Sequence, residues 1–215
     1  MIVYFASLWL LLVGVYMAPA LALFPQLIKH PVTAVSIPLL SVALVFVLTT
    51  LMVVGECFSP ENVRMLSTLL ATIAACRLYH DDVAHTWTSW HFKWLLFFGL
   101  LFLPYAIKLG TQAFDSSDEI YSWNFWALQT VFGVPISFEH TGAPYPQAFP
   151  KLLAFQYQLL SNIELQLPIR VGLALFPFSL MASIVFAFKR IPTLGQTLGI
   201  GLLVVLCAFG MNWQQ

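Results

Sequence analysis

Residues 2–22 read IVYFASLWLLLVGVYMAPALA, twenty-one residues without one charged side chain. About 20 apolar residues cross the hydrocarbon core of a bilayer as a helix. A secretory signal would open on basic residues and carry a shorter apolar core, so this run reads as a retained membrane span. The rest of the chain agrees with it. Of 215 residues, 60% are hydrophobic and 8% are charged, whereas a water-soluble domain carries about 25% charged residues to solvate its surface. The formal net charge is zero, which gives no electrostatic footprint for nucleic acid.

Working outward, Val32–Val54 is a second span. Val171–Phe188, between Arg170 and Lys189, is a third, and Leu194–Trp213 closes the chain. Trp94–Ile107 is short, but Lys93 and Lys108 at its ends can snorkel to the two interfaces. Met65–Cys76 holds only twelve uncharged residues between Arg64 and Arg77 and fits either an interfacial helix or a buried span. Prolines 19, 38, 104 and 177 fall within these runs, where neighbouring helices can satisfy the carbonyls they free. The expected fold is therefore all-α, a polytopic bundle of five or six spans. It divides into membrane helices over 1–110, one long extracytoplasmic loop with juxtamembrane helices over 111–170, and membrane helices over 171–215. Lys189-Arg190 marks a cytoplasmic turn, which puts that loop and the C-terminus on the far side. The side of the N-terminus depends on whether Met65–Cys76 crosses.

Cys57, Cys76 and Cys207 lie far apart and indicate neither a zinc site nor a disulfide framework. Three of the five histidines, His80, His85 and His91, gather with Asp81 and Asp82 on the cytoplasmic side. The five-residue spacing of His80 and His85 departs from the i, i+4 geometry of a helical zinc pair, so a solvated inter-helix loop is the expectation there and no metal site is assigned.

The long loop holds five of the nine acids, eleven aromatics and five prolines. A flexible linker would be poor in aromatics, so this segment packs, partly on the membrane surface. Asp115 or Ser117 can cap a helix whose first turn carries Asp118 and Glu119, acids suited to the positive end of the dipole. Ile120, Trp123, Ala127 and Val131 follow at helical spacing. Trp123 and Trp126 suit a headgroup interface and form an aromatic shelf. Taken alone, Asp118 and Glu119 fit either a general base with its neighbour or an ordinary acidic helix start.

The run DEIYSWNFWA (118–127) resembles the acidic motif in the first extracytoplasmic loop of the GT-C membrane glycosyltransferases. These polyprenyl-phosphate-sugar-dependent enzymes include protein mannosyltransferases and lipid A aminoarabinose transferases. Two further elements follow in the family's order. The run APYPQAFP (143–150) is similar to its Tyr-Pro-Pro or Lys-Pro-Pro segment, and IELQLPIR (163–170) to the segment whose Arg opens the next span. The resemblance covers residues 112–190 and implies inverting sugar transfer from a lipid-linked donor in the cytoplasmic membrane. Asp118 then carries the base role, and Glu119 supports it or binds a divalent metal. Lys151 and Arg170, the only Lys or Arg between Lys108 and Lys189, would meet the donor phosphate; Arg170 fits an interfacial anchor equally well. Tyr145 and Trp123 would line the sugar site, although Tyr145-Pro146 also suits a plain turn. In the family this loop follows the first span and about a dozen spans are usual. Here several apolar segments precede the loop and five or six spans are expected, which implies a portion of an enzyme completed by a partner chain. A non-catalytic lipid-binding or transport-related membrane subunit is the alternative.

Overall fold

Prolines decide where many of the helices start. In the computed structural model, which describes residues 1–80, 88–111, 114, 119–137 and 147–187, the first span is two helices, α1 (Ile2–Gly14) and α2 (Ala18–Leu23), with Pro19 in the first turn of α2. A 3-10 turn (Pro25–Lys29), α3 (Pro31–Val35) and α4 (Ile37–Val54) likewise carry proline at their starts. An N–H missing there removes no intrahelical bond. The break between α1 and α2 is closed by another helix: the Ser41 hydroxyl on α4 accepts the Ala20 N–H at 3.2 Å and donates to the Met17 carbonyl at 3.4 Å. Inside a bilayer each backbone group freed by a break needs such an internal partner.

Next come α5 (Pro60–His80) and α6 (Ser89–Thr111), then a π-helical stretch (Glu119–Asn124) that continues as α7 (Phe125–Val131). The described chain ends with α8 (Ala148–Leu160), α9 (Gln166–Leu173) and α10 (Leu175–Ala187). No strand occurs among the described residues. Four stretches are long and apolar enough to cross a membrane: Ile2–Leu23, Ile37–Val54, Ser89–Thr111 and Gln166–Ala187. The third is longer than the expected Trp94–Ile107, and its 23 residues reach roughly 35 Å. The last starts at Gln166, so Arg170 lies inside the helix and does not mark its boundary. On α6, Phe92, Leu96, Leu100, Leu103 and Ile107 form one outward apolar stripe, a face that water would not tolerate and lipid does. The expected span Leu194–Trp213 and the Lys189-Arg190 turn lie outside the described residues, as do Asp81, Asp82 and His85.

Helix α5 contains the run Met65–Cys76 and extends beyond it, and it is not one of the four stretches long and apolar enough to cross. It runs alongside the first span and not across its end. Ser67 packs beside Gly14, and the Arg77 guanidinium donates to the Ala22 and Leu23 carbonyls at 2.8 and 3.2 Å. A cation there satisfies the last carbonyls of α2 and suits the negative end of its dipole. Met1 and Thr111 share one end of the bundle: Gly110 lies against Tyr4 near the start of α1 and Val171 on α9. At the other end His91 meets Phe186 edge-on, with ring centroids 5.1 Å apart.

The central core is built around α8. Leu11, Val15 and Tyr16 of the first span, Val45 and Met52 of α4 and Val63 of α5 close on Leu152–Phe155, Tyr157 and Leu159. A second cluster joins α6 to α10, and a third joins α2 to α4 and α5. Within the 111–170 segment, α8 is buried along almost its whole length.

Two outcomes check this arrangement. In a background lacking native cysteines, Ile2→Cys and Ser161→Cys should react with an impermeant maleimide from the same side of a sealed vesicle, and Tyr79→Cys from the other. Close packing gives the second. A Cβ on Gly172 would come within 2.6–2.9 Å of the buried Tyr16 ring and hydroxyl, whereas one on Gly99 meets nothing within 4 Å. Gly172→Ala should cost about 1–3 kcal/mol of stability through overpacking; Gly99→Ala should cost nothing, read as thermal midpoints in detergent.

Candidate functional site

The site gathers at the end of the bundle where the start of α1, the end of α6 and the head of α9 meet. Its floor is α9. Gln166 and Arg170 stand one helical turn apart, and both reach Phe114. The Gln166 side-chain oxygen accepts the Phe114 N–H at 3.4 Å, and the Arg170 guanidinium lies 5.3 Å from the centre of the Phe114 ring. Arg170 is only 4% exposed, and a desolvated cation gains most from the negative face of an aromatic ring. Phe114 is thus fastened by backbone and ring to the head of the last described span, immediately before the acidic run 115–119.

After that run the chain re-enters the described structure at Glu119, as π turns. The helix expected over 118–131 is present from Glu119, but its register differs. Each π turn adds a residue to the helical repeat, so Ile120 swings out to 40% exposure while Ser122 and Trp126 turn inward. Trp126 is fully buried, and its indole N–H donates to the Ser137 carbonyl at 2.7 Å. It serves as a core residue, against the expectation of a headgroup anchor. Trp123 is half-buried and stacks on Phe149 of α8, with centroids 5.2 Å apart and planes 21° apart. Phe149 touches Phe176, and Phe176 meets Tyr16 edge-on. A line of four rings therefore runs from the segment down to the kink of the first span.

Polar side chains fix α8 in place. Gln156 donates to the Tyr16 hydroxyl at 3.1 Å, Gln158 to the Val131 carbonyl at 3.3 Å, and the Tyr157 hydroxyl to Asn124 Oδ1 at 2.6 Å. Burial raises the Tyr157 hydroxyl pKa and keeps it a donor to Asn124.

Lys151, in the first turn of α8, belongs to different surroundings. It lines a cleft of about 560 Å³ with Val53, Glu56, Phe58 and the 133–136 segment; Arg170 is not part of that cleft. The two cations expected to share one phosphate thus face different spaces. Asp118, Tyr145 and the side chain of Glu119 lie outside the described residues. Sequence reasoning missed Glu56, Phe149 and Tyr16. Glu56 sits in the five-residue gap 55–59 between α4 and α5, which looks like any turn after a span. Among the described residues no three His, Cys, Asp or Glu side chains gather as a metal site. His91 accepts the Thr88 N–H at 3.0 Å and pairs with the Thr88 hydroxyl at 2.8 Å, a local contact at the head of α6.

Burial of Lys151 disfavours its ammonium and lowers its pKa. Between that lowered folded value and the ordinary lysine value the unfolded chain binds more protons, so stability rises with pH across the window. Lys151→Met should abolish that rise and leave the thermal midpoint at neutral pH unchanged or higher, as followed by thermal melts across alkaline pH.

No family model, no curated protein and no solved structure matches the chain, so a functional reading rests on this geometry and on the residues that carry it.

Proposed function

We propose that this chain is the loop-bearing portion of a GT-C-type membrane glycosyltransferase that moves a sugar from a polyprenyl-phosphate donor to an extracytoplasmic acceptor with inversion. One observation carries the reading: both flanks of Asp118 are anchored in the bundle, one on the head of the last described span and the other on α8. Four residues before it, Phe114 is bound to Gln166 and Arg170. Directly after it, the π-helical stretch from Glu119 packs on α8 and is tied there through Asn124 and Tyr157. Four residues of chain span at most about 14 Å, which keeps the acid within reach of the buried cation.

In this reading the Asp118 carboxylate takes the proton of the acceptor hydroxyl or amine as the acceptor atom attacks the anomeric carbon. The bond from that carbon to the phosphate oxygen breaks, and the lipid phosphate leaves with the electron pair. Arg170 faces the charge that develops there, where a low-dielectric setting strengthens the attraction. Trp123 and Phe149 offer a stacked aromatic surface to a sugar ring. Glu119 supports the base or holds a divalent metal, and a partner chain supplies the remaining spans. The charge rule for Lys189-Arg190 puts this end of the bundle outside the cytoplasm.

A second reading, a non-catalytic lipid-binding subunit, is favoured by an apolar cavity of about 310 Å³. It opens between α1, α6 and α9–α10 and is lined by Leu8, Tyr16, Phe102, Val171 and Phe178.

Turnover separates the two. With radiolabelled polyprenyl-phosphate sugar and the chain in membranes with its partner, Asp118→Asn should lower transfer per folded molecule by roughly 10²–10⁴-fold. Glu119→Gln should cost less unless a metal is bound. Arg170→Lys, which keeps the charge and loses the planar fork, should weaken donor binding. An unchanged turnover in Asp118→Asn would leave the lipid-binding subunit as the reading.

A further inference from the structure

The Lys151 cleft lies where α4 ends. Its walls are Val53 and Glu56 at the α4–α5 corner, Phe58, Thr130, and the Gly133–Ile136 segment that follows α7. Glu56 is held with a left-handed backbone, φ 53°, between two hydrogen bonds: its own N–H donates to the Val53 carbonyl and the Cys57 N–H to the Met52 carbonyl, at 3.1 and 2.9 Å. Lys151 projects from a helix start, where the dipole is already positive and where α8 has no side-chain cap. Among the described residues neither the Lys151 ammonium nor the Glu56 carboxylate makes a hydrogen bond or an ion pair, and the two do not close on each other across the cleft. A half-buried ammonium facing an empty cleft calls for an anion. Glu56, exposed among the residues that line the same cleft, offers its carboxylate to a cation carried by the same ligand.

Position supplies the rest. The cleft opens at the end of a candidate span, hence at headgroup depth. An outward stripe on α4, Val47, Leu51 and Val54, exposed by 50, 63 and 77%, ends one residue past Val53 of the cleft wall and about 100° round the helix from it. On the other side Phe132 and Val134 are also exposed. Acyl chains can lie along such a stripe with their headgroup in the cleft. A quaternary ammonium would want a cage of aromatic rings, and the cleft has one, Phe58; a primary ammonium offers N–H donors directly to a carboxylate.

We infer that this cleft binds the headgroup of a phosphoethanolamine phospholipid, the phosphate against Lys151 and the ammonium against Glu56, with the chains along α4. The site is separate from the transfer chemistry and stands whether or not the chain is an enzyme.

The test uses the full-length protein in detergent. Binding of short-chain phosphatidylethanolamine, phosphatidylcholine and phosphatidylglycerol, and of soluble glycerophosphoethanolamine, is measured by thermal shift and native mass spectrometry. Phosphatidylethanolamine should bind about 10-fold tighter than either other lipid, the size of one charge-assisted hydrogen bond. Glu56→Gln should erase the preference over phosphatidylglycerol. Lys151→Met should weaken both lipids about 10-fold or more, and Lys151→Arg should restore them. The lipid-free melting of each variant, matched to that of the native chain, shows that the fold is intact. Equal binding of the three lipids by the native protein, or native affinity in a folded Lys151→Met, overturns the assignment. Soluble glycerophosphoethanolamine binding as tightly as the lipid would do so too, by making the ligand a free phosphoester.

Discussion

Helix α8 has almost no face left for water or lipid, so its polar side chains must find partners inside the bundle. An amide moved into an apolar setting without a partner costs several kcal/mol. Gln156, Tyr157 and Gln158 sit side by side on this helix and point in three directions, to Tyr16, Asn124 and the Val131 carbonyl. Those three bonds tie the first span, the π-helical stretch and the end of α7 to one rod. The Gln156 side-chain oxygen lacks a partner among the described residues, a burden of about 1–3 kcal/mol that the surrounding apolar contacts offset. Because the rod is fixed from three sides, Phe149 and Lys151 near its start have defined positions. The aromatic stack and the cleft both depend on that.

The same constraint explains the uneven legibility of the chain. Ile2–Ala22, Val32–Val54 and Val171–Phe188 were readable because a bilayer demands long uncharged runs and little else produces them. The breaks at Pro19 and Pro38 could not be placed, since the group that closes the first one is Ser41, twenty-one residues on. Met65–Cys76 was ambiguous because its apolar run is short; a long-range contact from Arg77 to the first span decides its course. Within the 112–165 segment the helix start at the acids was visible. The inward turn of Trp126 was not, because a π turn shifts the face without changing the composition. Helix α8 carries apolar and amide groups on every side and shows no single buried stripe, the pattern of a helix enclosed all round.

Of the candidate site, Arg170 packs against the Phe114 ring and Trp123 stacks on Phe149; Asp118 and Tyr145 lie outside the described residues. Lys151 does not join Arg170. Nothing in the sequence distinguishes one lysine facing a phosphate at α9 from one facing a cleft at the α4–α5 corner. The partner that separates them, Glu56, is ninety-five positions away, and only folding brings it near.

The bond between Gln156 and Tyr16 joins residues 140 apart, and this has a consequence for biogenesis. At roughly 5–20 residues per second of synthesis, the first span waits about 7–28 s in the membrane before its partner is even made. During that interval the Tyr16 hydroxyl and the Gly14 groove lie open between α1 and α5. The contacts of Tyr16 and Gly14 with α8 therefore form only after α1 and α5 are already made.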